Sequence, residues 1–262
     1  QTLSITTNGT GTTTFTGAVG ATNAPTSITI STDVLTAAAI KVSGALSVTN
    51  ANVSTGSTIT GIISNGTSAA SLTKAGAGKL TLSGVNTYTG VTTINAGTLS
   101  VGTIGDGGVA GNLGQATNSA SNLVLGGGTL QYTGSTASTD RNFTITDSTT
   151  GTFDITTNDL TISGAAASTS GALTKTGTGR LILSGANAYT GLTTISVGAL
   201  AAAIDAALPT TAATGAVATQ ARTHCSQCRS ASCAHASQNH RRTIDACDEK
   251  SACRKINSGH GL

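Results

Sequence analysis

Several residue types are scarce or missing in this sequence of 262 residues. Methionine and tryptophan are absent, and charged residues make up only 9% of the chain, against roughly 25% in an ordinary soluble domain. The net charge of +3 is too small for the basic patch of a nucleic-acid-binding protein, so we expect no nucleic-acid partner. A single glutamate and only two prolines also argue against a coiled coil and a collagen.

Catalytic side chains are missing from most of the chain. Residues 1–221 contain no cysteine, histidine or glutamate, so they lack the usual groups that titrate near neutral pH and any histidine partner for a serine nucleophile. The glycine-rich stretches match neither phosphate-binding nor dinucleotide-binding motifs. We therefore expect no catalytic residue, no cofactor and no enzymatic activity.

Threonine and glycine dominate what is present, with 52 and 34 residues respectively. Branched threonine, valine and isoleucine side chains suit strands, whereas glycine, asparagine, aspartate and serine mark turns. The longest apolar run, at 199–208, is interrupted by Asp205 and is too short for a membrane-spanning helix. The composition therefore predicts an all-β protein. Because the chain starts at Gln1 without a signal peptide, we expect a mature or internal fragment.

An internal repeat indicates which all-β architecture to expect. Residues 72–102 read LTKAGAGKLTLSGVNTYTGVTTINAGTLSVG, and residues 173–203 read LTKTGTGRLILSGANAYTGLTTISVGALAAA. The two blocks agree at 18 of 31 positions without gaps, at an offset of 101 residues. Alternating leucines indicate strands, and the glycines between them indicate turns. This rhythm is typical of a β-solenoid, whose turns bury their apolar sides only by stacking on one another.

The length of a solenoid turn allows the turns to be counted. At roughly 20 to 25 residues per turn, the body of the chain would hold about nine or ten turns, and the offset between the repeats about four or five. A β-sandwich also has short strands separated by turn residues, but it does not predict a repeated block of this length.

The two blocks resemble the autotransporter-associated β-strand repeat of bacterial passenger domains. The likeness rests on the glycines, the Asn-x-Tyr-x-Gly step and the alternating leucines that both blocks contain. It covers roughly residues 70–203, whereas residues 1–69 share only the composition.

The resemblance implies a right-handed parallel β-helix that is secreted by a Gram-negative bacterium or displayed on its cell surface. The implied function is that of a non-catalytic stalk or adhesin scaffold that assists its own export. Expected partners are a C-terminal outer-membrane β-barrel translocator, not contained in this chain, and host or bacterial surface glycans or proteins. The alternatives are a β-helical polysaccharide lyase or hydrolase and a purely structural surface-layer protein.

A change of composition divides the chain. Residues 1–203 form the predicted β-helix, and residues 204–221 form an Ala/Thr-rich linker or solenoid end. Residues 222–262 contain all five cysteines and all four histidines, with a net charge of +4 against −1 for the preceding part. This last segment is predicted to be a disordered Cys/His/Arg-rich tail or the product of a frameshift.

The tail contains the one pattern of metal ligands. Cys225 and Cys228 have the C-x2-C spacing of zinc sites, and Cys233 and His235 are available to complete a tetrahedral site. The gap from Cys228 to His235 is shorter than in zinc fingers. A disulfide-linked tail is the other alternative, since an exported protein meets oxidising conditions.

The body offers one group of acidic candidates. It comprises Asp140, Asp147, Asp154 and Asp159 with the neighbouring Arg141. An acid-dependent polysaccharide-cleaving site or a calcium site would need these carboxylates to converge. Their spacing does not place them on one face, so we expect ordinary loop residues.

Two matched pairs of polar residues occur in the repeats. Asn86 and Asn187 are predicted to serve turns, where asparagine hydrogen-bonds to local backbone. Tyr88 and Tyr189 are predicted to pack at corners of the solenoid rather than to form a glycan-stacking surface.

Overall fold

The structure is a computed structural model that describes residues 1–7, 11–203 and 208, with the backbone of residues 213–215 and 218–220. Apart from one 3-10 turn at Ala120–Asn122, its regular elements are short strands. In chain order these are Thr2–Thr6 (β1), Thr12–Phe15 (β2), Ser27–Thr32 (β3), Val34–Ala37 (β4), Ile40–Val42 (β5), Ala45–Asn50 (β6), Ser57–Ile59 (β7), Ile63–Asn65 (β8), Ser71–Ala75 (β9), Lys79–Leu82 (β10), Thr92–Ile94 (β11), Thr98–Val101 (β12), Leu123–Leu125 (β13), Thr129–Tyr132 (β14), Ala137–Thr139 (β15), Thr144–Ile145 (β16), Thr150–Ile155 (β17), Asp159–Ile162 (β18), Ala172–Thr176 (β19), Arg180–Leu183 (β20), Thr193–Ile195 (β21), Ala199–Ala202 (β22), Ala213–Gly215 (β23) and Ala218–Gln220 (β24).

The strands form sheets in which each inner strand pairs with one strand from the previous turn and one from the next. The first sheet has the order β1-β3-β6-β9-β11-β13-β16, and the second has the order β2-β4-β7-β10-β12-β14-β17-β19-β21-β23. The third segment of a turn is β5 or β8 in the early turns and one of β15-β18-β20-β22-β24 in the later ones. Every pairing between these strands is parallel. The β-solenoid prediction is therefore confirmed, and the antiparallel sandwich is wrong.

The register of the pairs measures the length of each turn. Paired residues such as Leu72 and Thr92 lie 18 to 26 residues apart in most turns. The turn from Leu99 to Leu130 takes 31 residues, because a long loop separates β12 from β13. The ten strands of the second sheet are thus separated by nine turns of chain.

The core is a set of inward-pointing ladders along the solenoid. Strand residues alternate between buried and partly exposed positions, as in β10, where Leu80 and Leu82 are buried. One such ladder begins at Leu80, which stacks on Leu99 of the next turn. The ladder continues through Leu130 to Phe153 in the two turns that follow. Phe153 also meets Phe143 edge to face, with ring centroids 5.2 Å apart. Each turn therefore buries its apolar side chains against both neighbours, and the core is continuous along the solenoid.

The two repeats occupy different sides of the solenoid. In the first repeat β9 belongs to the first sheet and β10 to the second, whereas in the second repeat β19 belongs to the second sheet and β20 to the third. Along the first sheet, the register places Ala166 four turns after Leu72. The last of these pairings joins Ala166 to Phe143. Strand β19 follows Ala166 in the chain and lies in the second sheet, which is the next side of the solenoid. The offset of 101 residues is therefore four turns plus one side, so matched residues of the two repeats face different directions.

Some predictions lie beyond what the structure describes. The tail at 222–262, with the zinc candidates Cys225, Cys228, Cys233 and His235, falls outside the described residues. The boundary after residue 203 and the right-handedness of the helix stay predictions. Within the described part of the chain, no helix is long and apolar enough to cross a bilayer.

Candidate functional site

A buried lysine lies at one corner of the first repeat. The Lys74 side chain points into the core from β9 and has no exposed surface. Its ammonium group donates hydrogen bonds to the carbonyl oxygens of Ala75, Gly76 and Ala96, at 2.7, 2.8 and 3.1 Å. An ammonium group has three N–H donors, so the three carbonyls use all of them.

The second repeat contains the same arrangement. Lys175 is fully buried, and its Nζ donates to the carbonyl oxygens of Thr176, Gly177 and Val197. Gly177 has a positive φ of 73°, and its counterpart Gly76 has 74°, a region that glycine adopts without strain. In both copies the lysine ammonium is the hydrogen-bond donor to the backbone carbonyls of this left-handed corner.

Burial shifts the pKa values of the lysines and of two repeat tyrosines in opposite directions. Desolvation lowers the pKa of Lys74 and Lys175 from 10.5 to about 8, although the charge of Asp154 opposes the shift at Lys175. Desolvation raises the pKa of Tyr88 and Tyr189 from 10.0 to about 12, against the effect of the hydrogen bond that each hydroxyl makes. Both shifts disfavour the charged form of a buried group.

These shifts predict how stability depends on pH. Between pH 8 and 10.5 the unfolded chain binds more protons than the folded chain at Lys74 and Lys175, so we expect stability to rise with pH. Above pH 10 the folded chain holds the protons of Tyr88 and Tyr189 up to about pH 12, so stability should fall. Urea unfolding midpoints at about pH 7.5, 9.5 and 11.5, measured with reducing agent present, check this dependence.

The lysines can be separated from the tyrosines in the same measurement. A Lys74→Met, Lys175→Met double variant should lose the rise below pH 10 and keep the fall above it. A wild-type midpoint that is unchanged between about pH 7.5 and 9.5 would contradict the prediction.

The repeat asparagines connect neighbouring turns of the solenoid. Asn86 is fully buried; its Oδ1 accepts from the Ile63 N–H at 2.7 Å and its Nδ2 donates to the Asn112 carbonyl at 2.7 Å. Asn187 likewise accepts from the N–H of Ala166, in the preceding turn, at 2.7 Å. Both therefore reach backbone groups more than 20 residues away in sequence, in addition to any local role in a turn.

The repeat tyrosines lie in the core. Tyr88 and Tyr189 have no exposed surface, and their hydroxyls hydrogen-bond to Thr92 and Thr193 at 2.7 and 2.8 Å. A glycan therefore has no access to either ring, which agrees with a packing role.

A long loop is attached to the body by a buried arginine. The loop comprises residues 102–122, between β12 and β13, and we call it the pinned loop. The side chain of Arg141 is 3% exposed and donates to four carbonyl oxygens of this loop: Gly105 at 2.9 Å, Gly114 at 2.8 Å, Ala116 at 3.3 Å and Val109 at 3.4 Å. The guanidinium thus holds both arms of the loop.

Two aspartates strengthen this attachment. Asp140 accepts from the N–H of Gly107 at 2.7 Å and from Nδ2 of Asn118 at 3.3 Å. Asp106 accepts in turn from the N–H of Asp140 at 3.0 Å. The sequence pointed to Asp140 and Arg141 but missed Asp106, and its position beside two glycines in an unusually long insertion was the available signal.

The remaining acidic candidates lie apart from one another in their contacts. Asp147 accepts from Ser170, Asp154 accepts from Gln131 at 2.7 Å, and Asp159 pairs with Arg180 at the surface. Among the described residues, no three histidine, cysteine, aspartate or glutamate side chains converge as metal ligands would.

Known proteins resemble this chain in the two repeats. The family model described as the passenger-associated-transport-repeat matches residues 72–101 and 173–202, the two segments that contain the buried lysines, asparagines and tyrosines. A relative, the adhesin BmaC autotransporter of Brucella suis biovar 1 (strain 1330), is 48% identical over 126 residues. The chain therefore contains two copies of the passenger-associated-transport-repeat, and it is similar to an autotransporter adhesin over about half of its length.

The extent of the match limits what it says about the whole protein. The aligned region covers 47% of this chain and 4% of the BmaC adhesin, so this chain spans only a small part of that relative's length. No solved structure matches the chain.

Proposed function

We propose that the chain is a non-catalytic part of a passenger displayed on or secreted from a Gram-negative cell, where it acts as a stalk and adhesive scaffold. Its repeats assist export, and its partners are an outer-membrane β-barrel translocator, outside this chain, and surface glycans or proteins. The observation that carries the proposal is the continuous parallel ladder of nine turns, built around two transport repeats. The printed name of the BmaC relative, an adhesin, supports the adhesive part.

The charged side chains of the described solenoid support a scaffold rather than an enzyme. The buried cations Lys74, Lys175 and Arg141 all donate to backbone carbonyls. Asp140 and Asp154 accept hydrogen bonds from groups of neighbouring turns. A catalytic acid or base must reach substrate, whereas these groups hold turns together. The polysaccharide lyase or hydrolase alternative has no observation in its favour.

We propose the outer side of the first sheet as the contact surface. One outward ladder joins Ser4, Thr29, Ser47, Thr73, Thr93, Val124 and Thr144, one residue from each strand of the sheet. It is uncharged and rich in hydroxyls, so it offers donors and acceptors without strong hydration. The corresponding ladder of the second sheet is partly hydrogen-bonded to itself, from Ser100 to Gln131 and from Gln131 to Asp154.

A cell-surface experiment tests the proposal. We expect the chain, exported on an autotransporter β-barrel, to increase attachment to surfaces or aggregation of cells above the level given by the barrel alone. A variant with Thr29→Lys, Thr73→Lys and Thr93→Lys should lose this gain, because three ammonium groups then cover the outer ladder of the first sheet. Attachment is measured at equal amounts of surface protein.

The second sheet provides a matched control. Thr36, Thr58 and Thr81 are consecutive outer positions there, and lysine at these three positions, the same number of added charges, should leave attachment unchanged. Attachment that is absent in the wild type, or lost equally in both triple variants, would contradict the assignment of the first sheet.

A further inference from the structure

The buried lysine of each repeat bonds to two successive turns of the solenoid. Two acceptors of Lys74, the Ala75 and Gly76 carbonyls, lie directly after it in the chain, whereas the third, the Ala96 carbonyl, lies 22 residues further on. Val197 is the corresponding distant acceptor for Lys175. The third hydrogen bond therefore forms only after the following turn has stacked.

The stem of each lysine occupies a place in an aliphatic ladder. Lys74 stacks between Val48 of the preceding turn and Ile94 of the following one. Lys175 stacks between Phe153 and Ile195. The methylene groups of each lysine thus fill the core as an aliphatic side chain does, while its ammonium group reaches the corner. An unstacked following turn would leave the stem, the ammonium group and the distant carbonyl open to water.

We propose that each transport repeat is a two-turn folding unit that its buried lysine closes when the second turn stacks on the first. The inference deepens the export role of the repeats and rests on the proposed function for its purpose, but the closure itself is a property of the folded chain. We call this set of three ammonium–carbonyl bonds the lysine lock.

Other contacts of the repeat support the same two turns. The Tyr88 hydroxyl bonds to Thr92, which begins the first strand of the following turn. The Asn86 side chain instead bonds to Ile63 and Asn112, which lie before and after the repeat, so it joins the unit to its neighbours. The tyrosine contact recurs as Tyr189 with Thr193, and the lysine lock recurs around Lys175. Repetition of this set at the matched positions indicates a unit rather than a single accidental contact.

The positions of the two locks suit a chain that folds as it leaves the cell. They are separated by four turns and one side of the solenoid, so they close different corners. Solenoid folding propagates from turn to turn, and a closed pair of turns resists fraying back. Each lock would then hold the part already folded outside the membrane while the next turns emerge.

Hydrogen exchange of the full-length chain tests the lock. In Lys74→Met, which keeps the stem but removes the ammonium group, the amides of β9, β10, β11 and β12 should exchange about tenfold faster or more, because the three charge-assisted hydrogen bonds that join the two turns are lost. The amides of β19 to β22 should be unchanged. Lys175→Met should give the reverse pattern, and Lys41→Met, at an exposed lysine of β5, should change neither.

The outcomes separate the lock from simpler explanations. Unchanged exchange in both lysine variants, or faster exchange confined to β9 and β10 while β11 and β12 stay protected, would overturn the two-turn unit. If Lys74→Met does not fold, Lys175→Met still gives the test in the later turns. The attachment assay is independent of this measurement, so loss of the adhesive proposal would leave the lock standing.

Discussion

Replacement of Arg141 by leucine is expected to detach the pinned loop and to destabilise the chain by about 3 kcal/mol, since a buried acceptor left unpaired costs roughly 1–3 kcal/mol. The guanidinium donates to four loop carbonyls, two of them at 2.8 and 2.9 Å, and leucine donates to none. The aliphatic side chain would fill part of the space but remove this donor from the Gly114 and Val109 carbonyls, whereas the Gly105 carbonyl keeps the Thr139 hydroxyl and the Ala116 carbonyl keeps the Gly108 N–H. The urea unfolding midpoint measures the loss of stability.

A second readout localises the effect of Arg141→Leu. The pinned loop contains Ile104, Val109 and Leu113, so a protease that cuts beside aliphatic residues should cleave within 102–122 much faster in the variant. Arg180→Leu is the matched control, because Arg180 is exposed and makes one surface ion pair with Asp159, worth at most about 1 kcal/mol. Equal stability and equal cleavage in the two variants would show that the guanidinium does not hold the loop.

The solenoid itself could be predicted because its signals are local or periodic. Alternating leucines such as Leu80 and Leu82 give the strand period directly, and both are buried. The repeated block showed that one structural unit recurs, which a sandwich does not require. What the repeat could not show was the shift of one side between its copies, because the long turn through the pinned loop changes the count of residues per turn.

The buried lysines show where pattern alone is insufficient. In β9, Lys74 alternates with Leu72, so strand periodicity places both on the inner side. Hydrophobicity would place a lysine outside, since buried lysines are rare. The inward position becomes understandable only with the left-handed corner, where the carbonyls of Ala75 and Gly76 accept its protons. The signal available in the sequence was a lysine at an inward-facing strand position in both copies of the repeat.

The acidic group illustrates the opposite limit. Asp140, Asp147, Asp154 and Asp159 are close in sequence, and their spacing predicted ordinary loop residues, but it did not predict their partners. In a solenoid the neighbours of a residue lie about one turn away in sequence. Asp154 therefore bonds to Gln131, and Asp159 pairs with Arg180. Asp140 instead meets Asp106, which is 34 residues earlier because the longest turn lies between them. Contacts across turns of unequal length are not readable from spacing.

Substitution of Gly84 by alanine is expected to cost at least about 3 kcal/mol, the upper part of the range for overpacked sites. A Cβ at this position would overlap with the carbonyl oxygen of Gly61 in the preceding turn, and a backbone atom held by its own hydrogen bonds to the turn before cannot move aside as a flexible side chain does. The second repeat contains the same contact between Gly185 and Gly164. Glycine is thus required at Gly84 and Gly185 because the backbones of two turns approach each other closely there.

Gly17→Ala is the matched control for this prediction. A Cβ at Gly17 would have no neighbour within 4 Å, and neither Gly17 nor Gly84 has a positive φ, so the two variants differ in contact and not in backbone strain. Alanine at Gly17 should be neutral or stabilise the chain by up to about 1 kcal/mol, because it reduces the conformational entropy of the unfolded chain. Denaturation midpoints of the two variants give the comparison, and a Gly84→Ala chain as stable as the Gly17→Ala chain would mean that adjacent turns are not stacked as closely as the ladder requires.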